Sequence, residues 1–265
     1  MKYEKCNKGQ QGFTLVELSI VLVIIGLIVG GVLVGQDMIK AAEIRSTIAQ
    51  LEQYNTATNT FRDKYHYIPG DITGTYATQF GFPARTGAAG HGDGNRSLEG
   101  CSSGAIVFGC EIALFWPDLN TANLLAGSYS GVDGLTNACA TADACGAYVP
   151  ETKLGHGNMI TVFSSAGQNY YEIHGVSAIA NATGAYTFTN SMSPQEAFNI
   201  DDKLDDGNPL RGTVRATTSL AVPNIIATPV VAAVGVCVEN TNNGYNTATE
   251  DYASAPSCGL RFKMQ

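Results

Sequence analysis

The side chains in this sequence that could do chemistry fall into three groups. The first is a single carboxylate, Glu17, inside an otherwise apolar run of 23 residues from Phe13 to Gly35 (FTLVELSIVLVIIGLIVGGVLVG). The second is the set of seven cysteines, Cys6, Cys101, Cys110, Cys139, Cys145, Cys237 and Cys258. The third is an acidic cluster in which Asp201, Asp202, Asp205, Asp206 and Asn208 crowd into eight residues. Oxygen donors at that density suit Ca²⁺, although the Asp-x-Asp-x-Asp-Gly spacing and closing Glu of an EF-hand are missing. The plainer reading is a helix C-cap followed by a solvated turn. Asp93, Asn95 and Glu99 form a weaker set of the same kind. His66, His91, His156 and His174 are scattered, with the spacing of neither a triad nor a metal site. No nucleophile elbow, zinc-protease helix, phosphate loop or dinucleotide fingerprint is present in the sequence. The chain reads as a non-enzyme, with calcium as its one cofactor candidate.

The elements that would position these groups begin with the apolar run. About 20 such residues in a helix cross a bilayer, so this stretch qualifies. Before it lie twelve polar residues carrying Lys2, Lys5 and Lys8 against one Glu4. By the positive-inside rule the N-terminus stays in the cytoplasm and the rest of the chain lies beyond the membrane. An ordinary signal peptide would end in a small-residue cleavage site. Here the run passes through Gly35 into Gln36-Asp37-Met38 without one. Glu17 is the anomaly, since an acid at mid-membrane depth costs roughly 2.5–3.5 kcal/mol on insertion scales.

The string Gly12-Phe13-Thr14-Leu15-Val16-Glu17, after a short basic leader and opening an apolar stretch, resembles the processing site of the type IV pilin family. That family includes the pseudopilins of type II secretion and competence. The resemblance implies that a prepilin peptidase cuts between Gly12 and Phe13 and that Phe13 becomes N-methylated. It also implies that Glu17 is the filament-assembly acid. A buried carboxylate is tolerable when paired, and a Phe13 amine meeting Glu17 of a neighbour would fix the register of a growing filament. Many type IV pilins carry a proline in the membrane half of this helix, and this chain has none there. It has Gly26, Gly30, Gly31 and Gly35 instead, in two G-x-x-x-G spacings. These fit close helix packing or local melting, or ordinary membrane-helix composition.

The resemblance also removes Cys6 with the leader, leaving six cysteines in a compartment where disulfides persist. Six allow fifteen connectivities; nearest-neighbour pairing would give Cys101–Cys110, Cys139–Cys145 and Cys237–Cys258, all short loops. The last resembles the C-terminal disulfide loop of pilins. Zinc is the rival reading, without a C-x-x-C in its favour.

Beyond the run, Ile44, Ile48, Leu51, Tyr54, Thr58, Phe61 and Tyr65 recur at spacings of three and four, one apolar stripe on a continuing helix. Pro69-Gly70 stops it, so a helix from Phe13 to Tyr65 would span ~80 Å. From Gly70 to Cys110 ten glycines fall in 41 residues, which reads as a long exposed segment. Glu111–Ala126 reads as one or two short helices broken at Pro117. Met159–Phe163 and Asn169–Ile173 read as a hairpin and Ala185–Thr189 as a neighbouring strand. Ser193-Pro194-Gln195-Glu196 starts a helix with a capping box. Leu210–Ala216 and Val230–Val238 are the last strand candidates.

The expected fold is α+β: a long N-terminal helix packed on a small antiparallel sheet with disulfide-bonded loops. The expected divisions are residues 1–12 as leader, 13–35 as membrane or filament-core helix, 36–66 as its amphipathic continuation and 67–265 as exported head. Composition agrees, with glycine at 30 of 265 against a usual ~7% and only 14% charged residues. The net charge of −8 becomes −10 without the leader's three lysines and one glutamate. That balance argues against direct nucleic-acid binding.

The function expected from the resemblance is a structural subunit of a pilus-like filament, a pseudopilin or minor pilin serving secretion or pilus function. It would be made in the inner membrane with its head in the periplasm. Its partners would be other pilin or pseudopilin subunits, the prepilin peptidase and an inner-membrane assembly platform. The alternative is a periplasmic binding or enzymatic domain tethered by an uncleaved anchor. A DNA-contacting competence subunit is a third reading, which the acidic head disfavours.

Overall fold

The computed structural model describes residues 13–101, 108–131, 139–155, 157–179, 186–189, 192–217, 237–239, 244–247 and 258–265. Helix α1 runs unbroken from Leu15 to Tyr65, through Gly26, Gly30, Gly31 and Gly35. The chain divides into two compact units, Met1–Ala42 and Glu43–Gln265.

In the first unit every described residue except Gly35 is exposed. Leu15, Leu22 and Leu27 keep 84%, 69% and 73% of their surface, although these side chains are the most apolar in the sequence. This is a helix long and apolar enough to cross a membrane.

In the second unit the stripe predicted from spacing is the core face of α1. Ile44, Thr47, Leu51, Tyr54, Ala57, Thr58 and Phe61 are buried, with Ile48 and Tyr65 packed at the margin. Tyr54 meets Trp116 edge-on at 5.0 Å between ring centroids. The Thr58 and Tyr171 hydroxyls share a buried 2.8 Å hydrogen bond, tying helix to sheet. Gln50 of α1 donates to the Glu151 carbonyl and accepts from the Lys153 amide.

The sheet is antiparallel throughout. Strand β1 (Asn158–Ser165) and β2 (Gln168–Ile179) form a hairpin. Its turn residues Ala166 and Gly167 have φ of 51° and 73°, the double left-handed conformation of a two-residue hairpin turn. The other edge of β2 pairs with β3 (Tyr186–Thr189) and with β5 (Gly259–Lys263), and β5 carries β4 (Val214–Thr217) outside it. Within β2, Tyr171 and Ile173 are fully buried beside the Leu260 and Phe262 of β5. Sequence reading missed β5. Its one charged pair explains why: Arg261 sits opposite Glu172 and 3.7 Å from its carboxylate, with its guanidinium over Phe163 at 4.5 Å.

Helix α3 (Cys110–Thr121) corrects the expected break at Pro117. Proline has no N–H, so the Ala113 carbonyl loses its helical donor, and the helix nonetheless continues through it. Gly131 passes so close that a Cβ there would lie 2.0 Å from that carbonyl oxygen. The segment from Gly70 onward also departs from the expected exposed loop. It holds helix α2 (Gly74–Phe80) and buries Ile72, Ala77, Phe82 and Leu98. It is pinned by a fully buried ion pair, Arg85 Nη2 to Asp118 Oδ1 at 2.8 Å. Arg85 also donates to the Gly70 carbonyl, and the Gly70 amide donates to Asp118.

Two further helices complete the described elements, α4 (Ala142–Cys145) and α5 (Pro194–Leu204). Helix α5 opens with both halves of the Ser193–Glu196 capping box. Disulfides join Cys101–Cys110, Cys139–Cys145 and Cys237–Cys258. The leader, with Cys6 and Gly12, lies outside the described residues, as does the strand candidate Val230–Val238 up to its last two residues. Val238 bridges Tyr245.

Candidate functional site

The start of α1 is built by Thr14 and Glu17. The Thr14 amide and hydroxyl both donate to Glu17 Oε2 at 2.8 Å, and the Glu17 amide donates back to the Thr14 hydroxyl at 3.3 Å. The Leu18 amide closes the first helical bond on the Thr14 carbonyl. This is a capping box, which satisfies helix-end amides that have no partner in the helix. Sequence reading singled out Glu17 and missed the box, though Thr-x-x-Glu before an apolar run is its signature. Glu17 Oε1 accepts no hydrogen bond among the described residues, so one carboxylate oxygen remains for another group. Phe13 stands just ahead of the cap, 83% exposed.

A second arrangement, in the second unit, was only partly anticipated. Asp71, Asp93 and Glu111 bring carboxylate oxygens within 4.8 Å of one another. Of the set Asp93, Asn95 and Glu99, Asp93 belongs to it and Glu99 does not, while Asn95 donates its backbone and side-chain amides to Asp93. Asp71 and Glu111 are fully buried, and each holds two loop amides. Asp71 accepts from Gly94 and Arg96, both at 2.7 Å. Glu111 accepts from Gly92 at 2.8 Å and Glu99 at 2.9 Å. The stretch from Gly92 to Glu99 is therefore hung on the carboxyl groups of Asp71 and Glu111. The only sequence clue was the position of Asp71, directly after the helix-stopping Pro69-Gly70.

The acidic run after α5 is partly assembled. Asp201, Asp205 and Asp206 lie within the same 4.8 Å limit, and Asp202 is outside the group. Asp205 accepts from the Thr213 and Val214 amides, and Asp206 from the Asn208 amide. Asp201 is fully buried. Its Oδ2 accepts from the Tyr245 hydroxyl at 2.8 Å, while its Oδ1 has no hydrogen-bond partner.

The fold and the helix start together define a class: a protein with one membrane-length N-terminal helix whose second half is built into an α+β, disulfide-bonded head. The family model for the prokaryotic N-terminal methylation motif matches residues 7–33. The chain thus carries the prepilin-type cleavage and methylation signature of type IV pilins and pseudopilins, and its architecture fits an α+β pilin fold. No curated protein and no solved structure matches the chain.

The buried acids give a pH dependence. Burial, the largest cause, raises Asp71 to about 7 against the pull of its two amides. Burial and then the Asp71 charge raise Glu111 to about 8. In the unfolded chain both would titrate near 4. The folded state therefore keeps protons that the unfolded state has released. The associated stability is complete below about pH 4 and is lost as pH rises through about 7 to 8. Thermal unfolding followed by the fluorescence of Trp116, the single tryptophan, should give a midpoint that falls from about pH 5 to about pH 9. Glu111→Gln should flatten that slope, and an unchanged slope in this variant would count against the assignment.

Proposed function

We propose that this chain is a structural subunit of a pilus-like filament, a pseudopilin or minor pilin assembled from the inner membrane to serve secretion or pilus function. The observation that carries the reading is the coincidence of three features on one helix start. These are the methylation signature at residues 7–33, the lone acid Glu17, and an apolar helix whose surface is uncovered in the single chain. Lipid covers such a surface in the membrane, and neighbouring helices would cover it in a filament. The four glycines of this stretch have nothing within 4 Å of where a Cβ would stand, which leaves room for close approach by another helix.

In this reading the prepilin peptidase cuts after Gly12 and the new Phe13 amine is methylated. Glu17 then has two tasks. Oε2 caps its own helix through Thr14, and Oε1 receives the Phe13 amine of a neighbouring subunit. The partners are sibling subunits, the peptidase and a membrane assembly platform. The basic leader would stay cytoplasmic and the head periplasmic.

The reading also places Ca²⁺ at Asp201, Asp205 and Asp206. The fit rests on Asp201 Oδ1, a buried carboxylate oxygen that no donor satisfies, since such an atom costs free energy until something does. Oxygens within 4.8 Å of one another can share one ion at 2.3–2.6 Å. The ion would tie the end of α5 to the turn before β4. Added Ca²⁺ should raise the thermal midpoint of the chelator-treated protein, and Asp201→Asn should remove the rise. No Ca²⁺-dependent shift in the wild type would overturn the site.

Two substitutions separate the tasks of Glu17. Glu17→Gln keeps a capping side chain but no charge, whereas Glu17→Val removes both. Both should leave membrane insertion intact, because each deletes a charge that is costly in lipid. Both should also abolish or severely reduce sheared filaments at matched expression, since an unpaired buried charge costs about 3–5 kcal/mol at each contact. Filament yield from Glu17→Gln equal to wild type would show that capping is enough, normal yield from both variants would overturn the pairing of Glu17 with Phe13, and no filaments even from the wild type would favour the tethered-domain alternative.

A further inference from the structure

The three disulfides are not chemically equivalent. Cys139, Cys145, Cys237 and Cys258 are buried, keeping 5%, 0%, 0% and 0% of their surface exposed. In the third bond Cys110 is fully buried, but Cys101 is only partly buried. In that bond an imidazole touches the buried sulfur, with His91 Nδ1 3.3 Å from Cys110 Sγ. Cys110 is also the first residue of α3, a helix of 12 residues, so its sulfur lies at the positive end of the helix dipole. One carboxylate assembles the group. Glu111, next to Cys110, accepts from Gly92, which follows His91, and from Glu99, two residues before Cys101.

We infer that Cys101–Cys110 is a thiol-exchange site, opened by an external thiolate that attacks Cys101 Sγ. The new S–S bond forms between the incoming sulfur and Cys101 as the Cys101–Cys110 bond breaks. Its electron pair leaves on Cys110 as a thiolate. Attack at Cys101 follows from exposure, because Cys110 is enclosed. Departure of Cys110 follows from its surroundings, because a better-stabilised thiolate leaves faster. His91 and the amides of the first turn of α3 stabilise that thiolate. The exchange consumes one thiol and yields a mixed disulfide on Cys101 with a free Cys110. A second thiol completes the reduction and releases the external disulfide. The reagent class is a thiol, either a small one or the active-site thiol of an exported oxidoreductase.

The test is a graded reduction of the full-length protein in detergent, in one series by glutathione and in another by reduced thioredoxin. Each sample is acid-quenched, alkylated and mapped without further reduction. In at least one series Cys101–Cys110 should open first, by on the order of tenfold over the other two bonds. Which series does so identifies the source of the thiol. Glutathione, where it reacts, should be found on Cys101 and not on Cys110. His91→Phe should slow this opening several-fold without changing the rates of the other two. Opening of another bond first, equal rates for all three, glutathione on Cys110 or an unchanged rate in a folded His91→Phe protein would each overturn the assignment. The wild-type order of opening and site of attachment test it even if that variant fails to fold.

Discussion

A helix of 51 residues in a chain of this size cannot cover its whole surface with the chain's own side chains. Everything else in the molecule follows from how that deficit is divided. From Glu43 onward the apolar residues keep to one stripe, and α3 and the sheet bury it. Before that point they surround the helix, and every described residue there except Gly35 is exposed. Apolar surface costs roughly 25 cal/mol per Å² when left in water, so the first half requires lipid or other helices. The one charged side chain of the apolar run Phe13–Gly35 sits in the first turn, where its carboxylate already satisfies the helix end through Thr14.

The head solves a different problem with the same residue type. Three acids, Asp71, Glu111 and Asp118, are fully buried, and each binds backbone amides or Arg85. They replace the regular hydrogen bonding that a glycine-rich segment does not make for itself. Gly70 shows the constraint: its φ is +88°, and a Cβ there would lie 2.3 Å from the Glu111 carbonyl oxygen. A carboxylate inside a protein is expensive unless its oxygens are satisfied. Two amides each offset part of that cost at Asp71 and Glu111, and burial still raises both groups.

What was legible in the sequence was whatever is set by local pattern. The stripe of α1, the hairpin around Ala166-Gly167, the Ser193–Glu196 box and the pilin-type start all have short-range signatures. What was hidden depends on distant partners. Strand β5 reads as polar because Arg261 is buried against Glu172 and an aromatic ring, two strands that lie far apart in sequence from it. Pro117 reads as a break, yet tertiary packing carries α3 through it. The Gly70–Cys110 segment reads as an exposed loop because its anchors are isolated acids, which have no periodicity. In the acidic run after α5 the residue types were visible, but only the fold selects Asp201, Asp205 and Asp206.

The central claim is that this is a processed filament subunit and not a tethered domain. The mature N-terminus tests it most directly. Protein recovered from membranes of a strain with an active prepilin peptidase should give an N-terminal peptide beginning at N-methylated Phe13. A peptide beginning at Met1, with the leader still attached in that strain, would contradict the account.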